Sequence, residues 1–186
     1  SSKVRPTADC GYGAAQGATG APVAEGSVGA GAGATIGKSA GASRAMKGGL
    51  GSAAIVMGDG LIVAAIVAVN AVGDVIDPAT GKVVAGVRTS DGKDLADARV
   101  LLRAGEVQRS RIGENTSIGV VATNATLTKT QATKVAQMAH DGYARAIAPV
   151  HTPADGDTIF ALATAARTGD VDVGRVGALA AEAMSE

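Results

Sequence analysis

The stretch "NTSIGVVATNATLTKTQATKVAQMAHDGYARAI", residues 115–147, decides how this chain is read. Residues 116–124, "TSIGVVATN", are small and β-branched and read as a buried strand. The next segment, "LTKTQATKVAQMAHDGYARAI", carries helical spacing instead. Thr128 and Gln131 make a capping box at its start, and Ala132, Val135, Met138, Ala139, Tyr143 and Ala146 return to one face. A strand that passes directly into an amphipathic helix calls for layers of sheet and helix, an α+β sandwich.

The neighbouring segments extend that pattern. Upstream, "AAIVM", the turn "GDG" and "LIVAAIVAVN" (Ala53 to Asn70) read as a hairpin of two buried strands. A turn at "DPATGK" (Asp77 to Lys82) precedes "VVAG". Residues 88–114 are charged and lack strand character, so they are expected to form a mobile connection with one helical turn near Leu101. Downstream, "DTIFALAT" (Asp157 to Thr164) is a second strand and "VGRVGALAAEAM" a closing helix. Residues 1–50 are rich in glycine and alanine, with weak periodicity. The whole, residues 1–186, is read as one domain.

Composition narrows the classes of function. Seventeen basic and seventeen acidic side chains cancel, which gives no reason to expect nucleic acid or an anionic membrane surface as partner. Cys10 is the single cysteine, so an internal disulfide and a cysteine-built metal cluster are excluded. That usage, with no apolar central run in "SSKVRPTADCGYG", points to a cytoplasmic protein. The apolar run from Leu61 to Gly73 is too short to span a bilayer and contains Asn70. With 27 glycines, no tryptophan and one phenylalanine, the core is built from small side chains that let backbones approach closely. Neither a cofactor nor a metal is expected.

Three places carry chemistry. "GAGATIGKSAG", Gly31 to Gly41, ends like a phosphate-cradling loop, but Ala32 stands where the first glycine of that motif belongs. Its flanks make a poor strand and a poor helix. A nucleotide-binding module built on residues 31–41 is one reading; an active-site role for Lys38 is another. At Asn115-Thr116 a polar linker meets a buried strand. A hydroxyl residue there, released as a new N-terminus by self-cleavage, would have its own α-amine as base. Such an amine has a pKa of about 8, so much of it is neutral at physiological pH. Asp155 and Asp157 lie two apart at a strand entrance and share a face in extended geometry. They repel unless a cation or donor lies between them. His140 and His151 have no metal-ligand spacing and read as structural, with His151 capping a turn.

These residues carry a family resemblance. Asn115 to Thr164, with Asn-Thr before a strand and "HTPADGDT" after it, resembles the nucleophile-bearing subunit of the L-aminopeptidase/D-esterase family. That family includes β-peptidyl aminopeptidases and nylon-oligomer hydrolases. The likeness continues upstream through "RPTADCGYGAA", "GAGAGATIGK" and "AVNAVGDVIDP". It implies an αββα sandwich like that of the N-terminal-nucleophile hydrolases, with different strand connectivity. It also implies maturation by cleavage just before the nucleophile.

Carried over by residue, the resemblance makes Thr116 the nucleophile, in a threonine-using branch, and Asn115 the last residue of the upstream fragment. On that reading residues 1–115 are a partial upstream subunit and 116–186 the nucleophile-bearing one. Asp155 and Asp157 match the acidic pair that orients the amine. Asn70 matches a side chain supporting the amine or the oxyanion, and Lys38 matches the active-site lysine, with Lys47 as alternative. The family's N-terminal portion holds an active-site tyrosine, a position matched by neither Tyr12 nor Tyr143. The resemblance thus implies a self-processing hydrolase of small peptides or other amides, expected to be a homo-oligomer. A catalytically silent structural homologue is the remaining alternative.

Overall fold

The computed structural model describes residues 5–108, 113 and 115–186. A first helix, α1 (Ala8–Gln16), buries none of its residues. Two short strands, β1 (Thr35–Ile36) and β2 (Met46–Lys47), pair with each other antiparallel. The predicted hairpin comes next as β3 (Gly49–Val56) and β4 (Ile62–Val69), with β3 beginning four residues earlier than its apolar run. After it lie β5 (Asp74–Ile76) and β6 (Val83–Ala85), then the helix α2 (Ala98–Ala104). The decisive stretch forms β7 (Ile118–Thr123) and α3 (Lys129–Ala146), with the capping box of Thr128 and Gln131 in place. The chain closes with β8 (Ile147–Ala148), β9 (Thr158–Ala163) and α4 (Val173–Ser185).

The main sheet has the order β3-β4-β7-β9, and a smaller one the order β6-β5-β8. Only β7 and β9 run parallel in the main sheet, because α3 carries the chain back across it between them. The two helices α3 and α4 pack together on one face. Val63, Ala65 and Val67 from β4, Val121 from β7 and Ile159 from β9 meet Val135, Ala139 and Tyr143 of α3 there. Val176, Ala180 and Met184 of α4 complete the cluster. Small residues set the closeness of the helices: a Cβ on Gly142 would run into the Ala181 carbonyl and Met184. The register puts Val56, Ile62, Ile118, Phe160 and Leu162 together on the opposite face, where all five are exposed.

The segment expected as a mobile connection is more ordered than its charge suggested. The helix near Leu101 spans seven residues, capped by the Asp97 side chain on the Arg99 amide. Ala98 and Leu101 are buried against Val87 and Ala40. The buried Asp74 carboxylate accepts the Val87 and Ala98 amides at 2.7 and 2.6 Å, tying this segment to β5. Residues 109–112 and 114, the remainder of that expected connection, lie outside the described residues.

Candidate active site

The border at Asn115-Thr116 lies where β7 begins its pairing with the strand β9. Asn115 is 2 % exposed and bridges Asp155 in parallel register. Its carbonyl accepts the Gly156 amide at 3.0 Å, and one step on, the Ser117 carbonyl accepts the Thr158 amide at 3.1 Å. Thr116, half-buried, stands between these two bonds. Its Oγ1 is 2.5 Å from where a Cβ on Gly156 would lie, so glycine is what leaves room for the hydroxyl.

The two carboxylates take different partners. Asp155 Oδ2 accepts both the amide and the hydroxyl of Thr152, at 2.8 and 2.7 Å, while its Oδ1 is buried without a hydrogen-bond partner among the described residues. Asp157, with a side chain 4 % exposed, accepts the Ser117 amide on Oδ1 at 3.0 Å. Its Oδ2 lies 2.9 Å from His151 Nδ1. Asp155 therefore meets this junction through the backbone bridge at Asn115, and Asp157 through the amide of Ser117.

Asn70, at the end of β4, approaches the same junction from the neighbouring strand. Its amide N–H donates to Ser117 Oγ at 3.1 Å. Its side-chain oxygen accepts from the Thr35 amide at 3.1 Å and from Lys38 Nζ at 2.8 Å. Two donors on Oδ1 fix the orientation of that amide and put its NH2 on the other side. Asn70 and Thr116 line one cleft of about 270 Å³, together with Ala30, Gly33, Thr35 and Ile118.

The glycine-rich run owes its shape to this neighbourhood. Gly37 donates to the Gly73 carbonyl and Lys38 to that of Val72, so the run lies along the chain just beyond Asn70. Gly37 has φ 66°, and a Cβ there would collide with the backbone of Gly86 and Val87. Beyond Lys38 the chain makes a turn and a three-residue 3₁₀ segment, Ala42–Arg44, so the run does not open an α-helix as a phosphate loop must. Lys47 is exposed and bonds the Ala32 carbonyl, which leaves Lys38 as the lysine on Asn70. Tyr12 is 68 % exposed on α1, and Tyr143 lies in the core with burial pushing its hydroxyl far above the ordinary pKa.

Two residues at the site escaped the sequence reading. Gly156 drew no reading of its own between Asp155 and Asp157, yet its amide donates to the Asn115 carbonyl and its lack of a Cβ leaves room for the Thr116 hydroxyl. His151 reads as a turn cap, yet it bonds Asp157. The signal for each was its place between or beside the acidic pair. Among the described residues no group of three or more histidine, cysteine, aspartate or glutamate side chains is arranged to hold a metal ion. No helix there is long and apolar enough to cross a membrane.

The fold matches solved structures. A Burkholderia sp. β-aminopeptidase superposes with a TM-score of 0.58 and 26 % identity, over 97 % of this chain and 49 % of that one. An L-aminopeptidase D-Ala-esterase/amidase from Ochrobactrum anthropi, described as a prototype of the serine aminopeptidases and a variant of the Ntn hydrolase fold, gives 0.57 at 21 % identity. It is matched over 90 % of this chain and 44 % of its own, and shows the fold alone. The mixed α/β architecture of this chain shares their fold.

The sequence matches the model of peptidase family S58 over residues 3–186, and the chain belongs to that family. An uncharacterized aminopeptidase of Mycobacterium leprae is 43 % identical over 91 % of this chain and 48 % of its own length. One from Mycobacterium tuberculosis strain H37Rv is 41 % identical over 96 % and 51 %. The chain therefore spans about half the length of these curated relatives.

Proposed function

We propose that this chain is the nucleophile-bearing part of a self-processing aminopeptidase or amidase, with Thr116 as nucleophile. The observation that carries the reading is the junction itself. The carbonyl of Asn115, one bond from Thr116, is already polarised by an N–H donor, Gly156, and the Thr116 hydroxyl sits beside that donor. Family membership and the aminopeptidase relatives support the hydrolase class.

In processing, Thr116 Oγ adds to the Asn115 carbonyl. The bond from that carbon to the Thr116 nitrogen then breaks, and the hydroxyl proton ends on the departing amine. Water hydrolyses the resulting ester, leaving a carboxylate on Asn115 and a free hydroxyl and α-amine on Thr116. The buried, unpartnered Asp155 Oδ1 is an acceptor for that new amine. In turnover the amine takes the Thr116 proton as the hydroxyl attacks a substrate carbonyl, then hands it to the leaving amine. Water releases the acyl group. The fixed Asn70 side chain supplies N–H donors suited to the oxyanion, and Lys38 holds that side chain while adding positive charge. The substrate is a small peptide or other linear amide, and the working enzyme is a cytoplasmic homo-oligomer.

Intact mass and a denaturing gel test the reading. The active sample separates into fragments 1–115 and 116–186, and Thr116→Ala stays one chain without activity. A wild-type chain that stays uncleaved while turning over substrate overturns it, and an uncleaved, inactive chain that folds would make it a silent homologue.

A further inference from the structure

The two histidines are eleven residues apart in sequence, one on α3 and the other in the turn before β9, yet their rings meet. His140 Nδ1 lies 3.3 Å from His151 Nε2, and the ring centroids are 4.9 Å apart. The chain of contacts continues through His151 Nδ1 to Asp157 Oδ2 at 2.9 Å, and from Asp157 Oδ1 to the Ser117 amide at 3.0 Å. It therefore runs from the surface of α3 to the residue next to Thr116.

Hydrogen-bond chemistry makes this chain directional. An ionised carboxylate only accepts, so His151 Nδ1 carries the proton in the contact with Asp157. In the neutral ring Nε2 is then an acceptor, and His140 Nδ1 must be the donor that fills it. Burial holds the His140 pKa below its ordinary value, with repulsion from a charged His151 acting the same way, while Asp157 and Asp141 oppose the shift. The Tyr143 ring packs beside both imidazoles. His151 also has φ 52°, in the left-handed region that is uncommon for a non-glycine residue, though histidine enters it more readily than most.

We propose that His151, backed by His140, is a positioning residue of the active site. It holds Asp157 Oδ2 so that Oδ1 stays on the Ser117 amide and fixes the backbone that carries Thr116. The proposal rests on the Thr116 hydrolase reading above.

The test compares His151→Ala, His151→Asn, Asp157→Asn and Thr116→Ala in the full chain, with an amino-acid p-nitroanilide as probe. Asparagine offers an N–H near the position of Nδ1 and tolerates positive φ. His151→Ala is expected to lower kcat about tenfold or more, the usual effect of losing an outer partner that orients a working group, with little change in KM. His151→Asn should recover most of that loss. Independently of turnover, nitrogen NMR of the Thr116→Ala protein should find His151 protonated on Nδ1 and the signal moved by Asp157→Asn. Wild-type kcat in His151→Ala, no rescue by a folded His151→Asn, or a His151 protonated only on Nε2 each overturns the proposal. Turnover by Thr116→Ala would instead overturn the hydrolase reading itself.

Discussion

Gly156 meets the Thr116 junction twice: its amide donates to the Asn115 carbonyl at 3.0 Å, and a Cβ on it would come within 2.5 Å of Thr116 Oγ1. The first contact polarises the bond proposed for cleavage, and the second fixes which rotamer of Thr116 faces it. Gly156 lies outside the left-handed region, so glycine is needed here for space and not for backbone freedom.

Gly156→Ala is therefore expected to fold. The obstacle is the end of one side chain, which escapes by rotating about χ1. That rotation takes Oγ1 off the carbonyl, and misplacement by about 1 Å costs roughly a hundredfold in rate. Fragment formation followed by mass spectrometry should slow accordingly, at an unchanged thermal midpoint. Normal processing in Gly156→Ala would remove Gly156 from the junction's chemistry.

Asp155→Asn separates function from stability. The Thr152 amide requires an oxygen, so the new NH2 must take the place of the buried, unpartnered Oδ1. One unmatched buried polar group then replaces another, so the melting temperature should change little. The amine of Thr116 would then face a donor in place of an acceptor. Turnover should fall by roughly a hundredfold, the size of losing one charge-stabilising contact. Combining it with Asp157→Asn should cost less than the sum of the two. A stable Asp155→Asn enzyme with full activity would show that Oδ1 meets nothing in the working site.

Much of this was legible in the sequence, and the failures have physical causes. The hairpin, β7, β9 and both long helices show in alternation and helical spacing, which burial on one face enforces. Asn115, Thr116, Asp155 and Asp157 converge because adjacent parallel strands bring residues forty positions apart into register, something the linear pattern implies only once the pairing is known. The helix at Leu101 was understated since its anchor, the Asp74 carboxylate, lies 24 residues upstream. The His140–His151 contact had no signal at all, being a meeting of a helix face with a turn.

Asp74→Asn tests that anchor. Asp74 is fully buried, each oxygen takes one backbone amide, and burial raises its pKa. Asparagine can accept only one of the two amides and turns an N–H against the other. The expected loss is about 1–3 kcal/mol, the cost of a buried donor left unmatched. Denaturant unfolding measures it; a stability equal to wild type would mean that the segment from Val87 to Leu101 repacks freely.

His140 makes stability depend on pH in a definite direction. Its pKa in the fold is below the ordinary 6.5, chiefly through burial, so the unfolded chain binds the proton at a higher pH than the folded one. Its contribution is intact above that ordinary value and is lost as pH falls through it toward the lowered value. The thermal midpoint of wild type should therefore drop more steeply on acidification than that of His140→Gln. Parallel curves for the two proteins would contradict the burial of this ring.

Lys38 discriminates between the two chemistries that its glycine-rich run suggests. It donates to Asn70 Oδ1 at 2.8 Å, and the backbone N–H of the same Asn70 donates to Ser117 Oγ, so the charge lies one residue from the Thr116 junction. Lys38→Met keeps the length and removes the charge. If the lysine serves amide hydrolysis, Asn70 loses the charged one of the two donors on its Oδ1, and the rate should fall by roughly a hundredfold. The Thr116 amine also loses a positive neighbour; its pKa then rises, and the residual activity moves to more alkaline pH. If the lysine held phosphate, the same change would spare hydrolysis and abolish nucleotide binding measured by calorimetry. The run opens no α-helix and its lysine meets Asn70, so the expected result is a crippled hydrolase with an alkaline-shifted profile and no nucleotide heat in either protein.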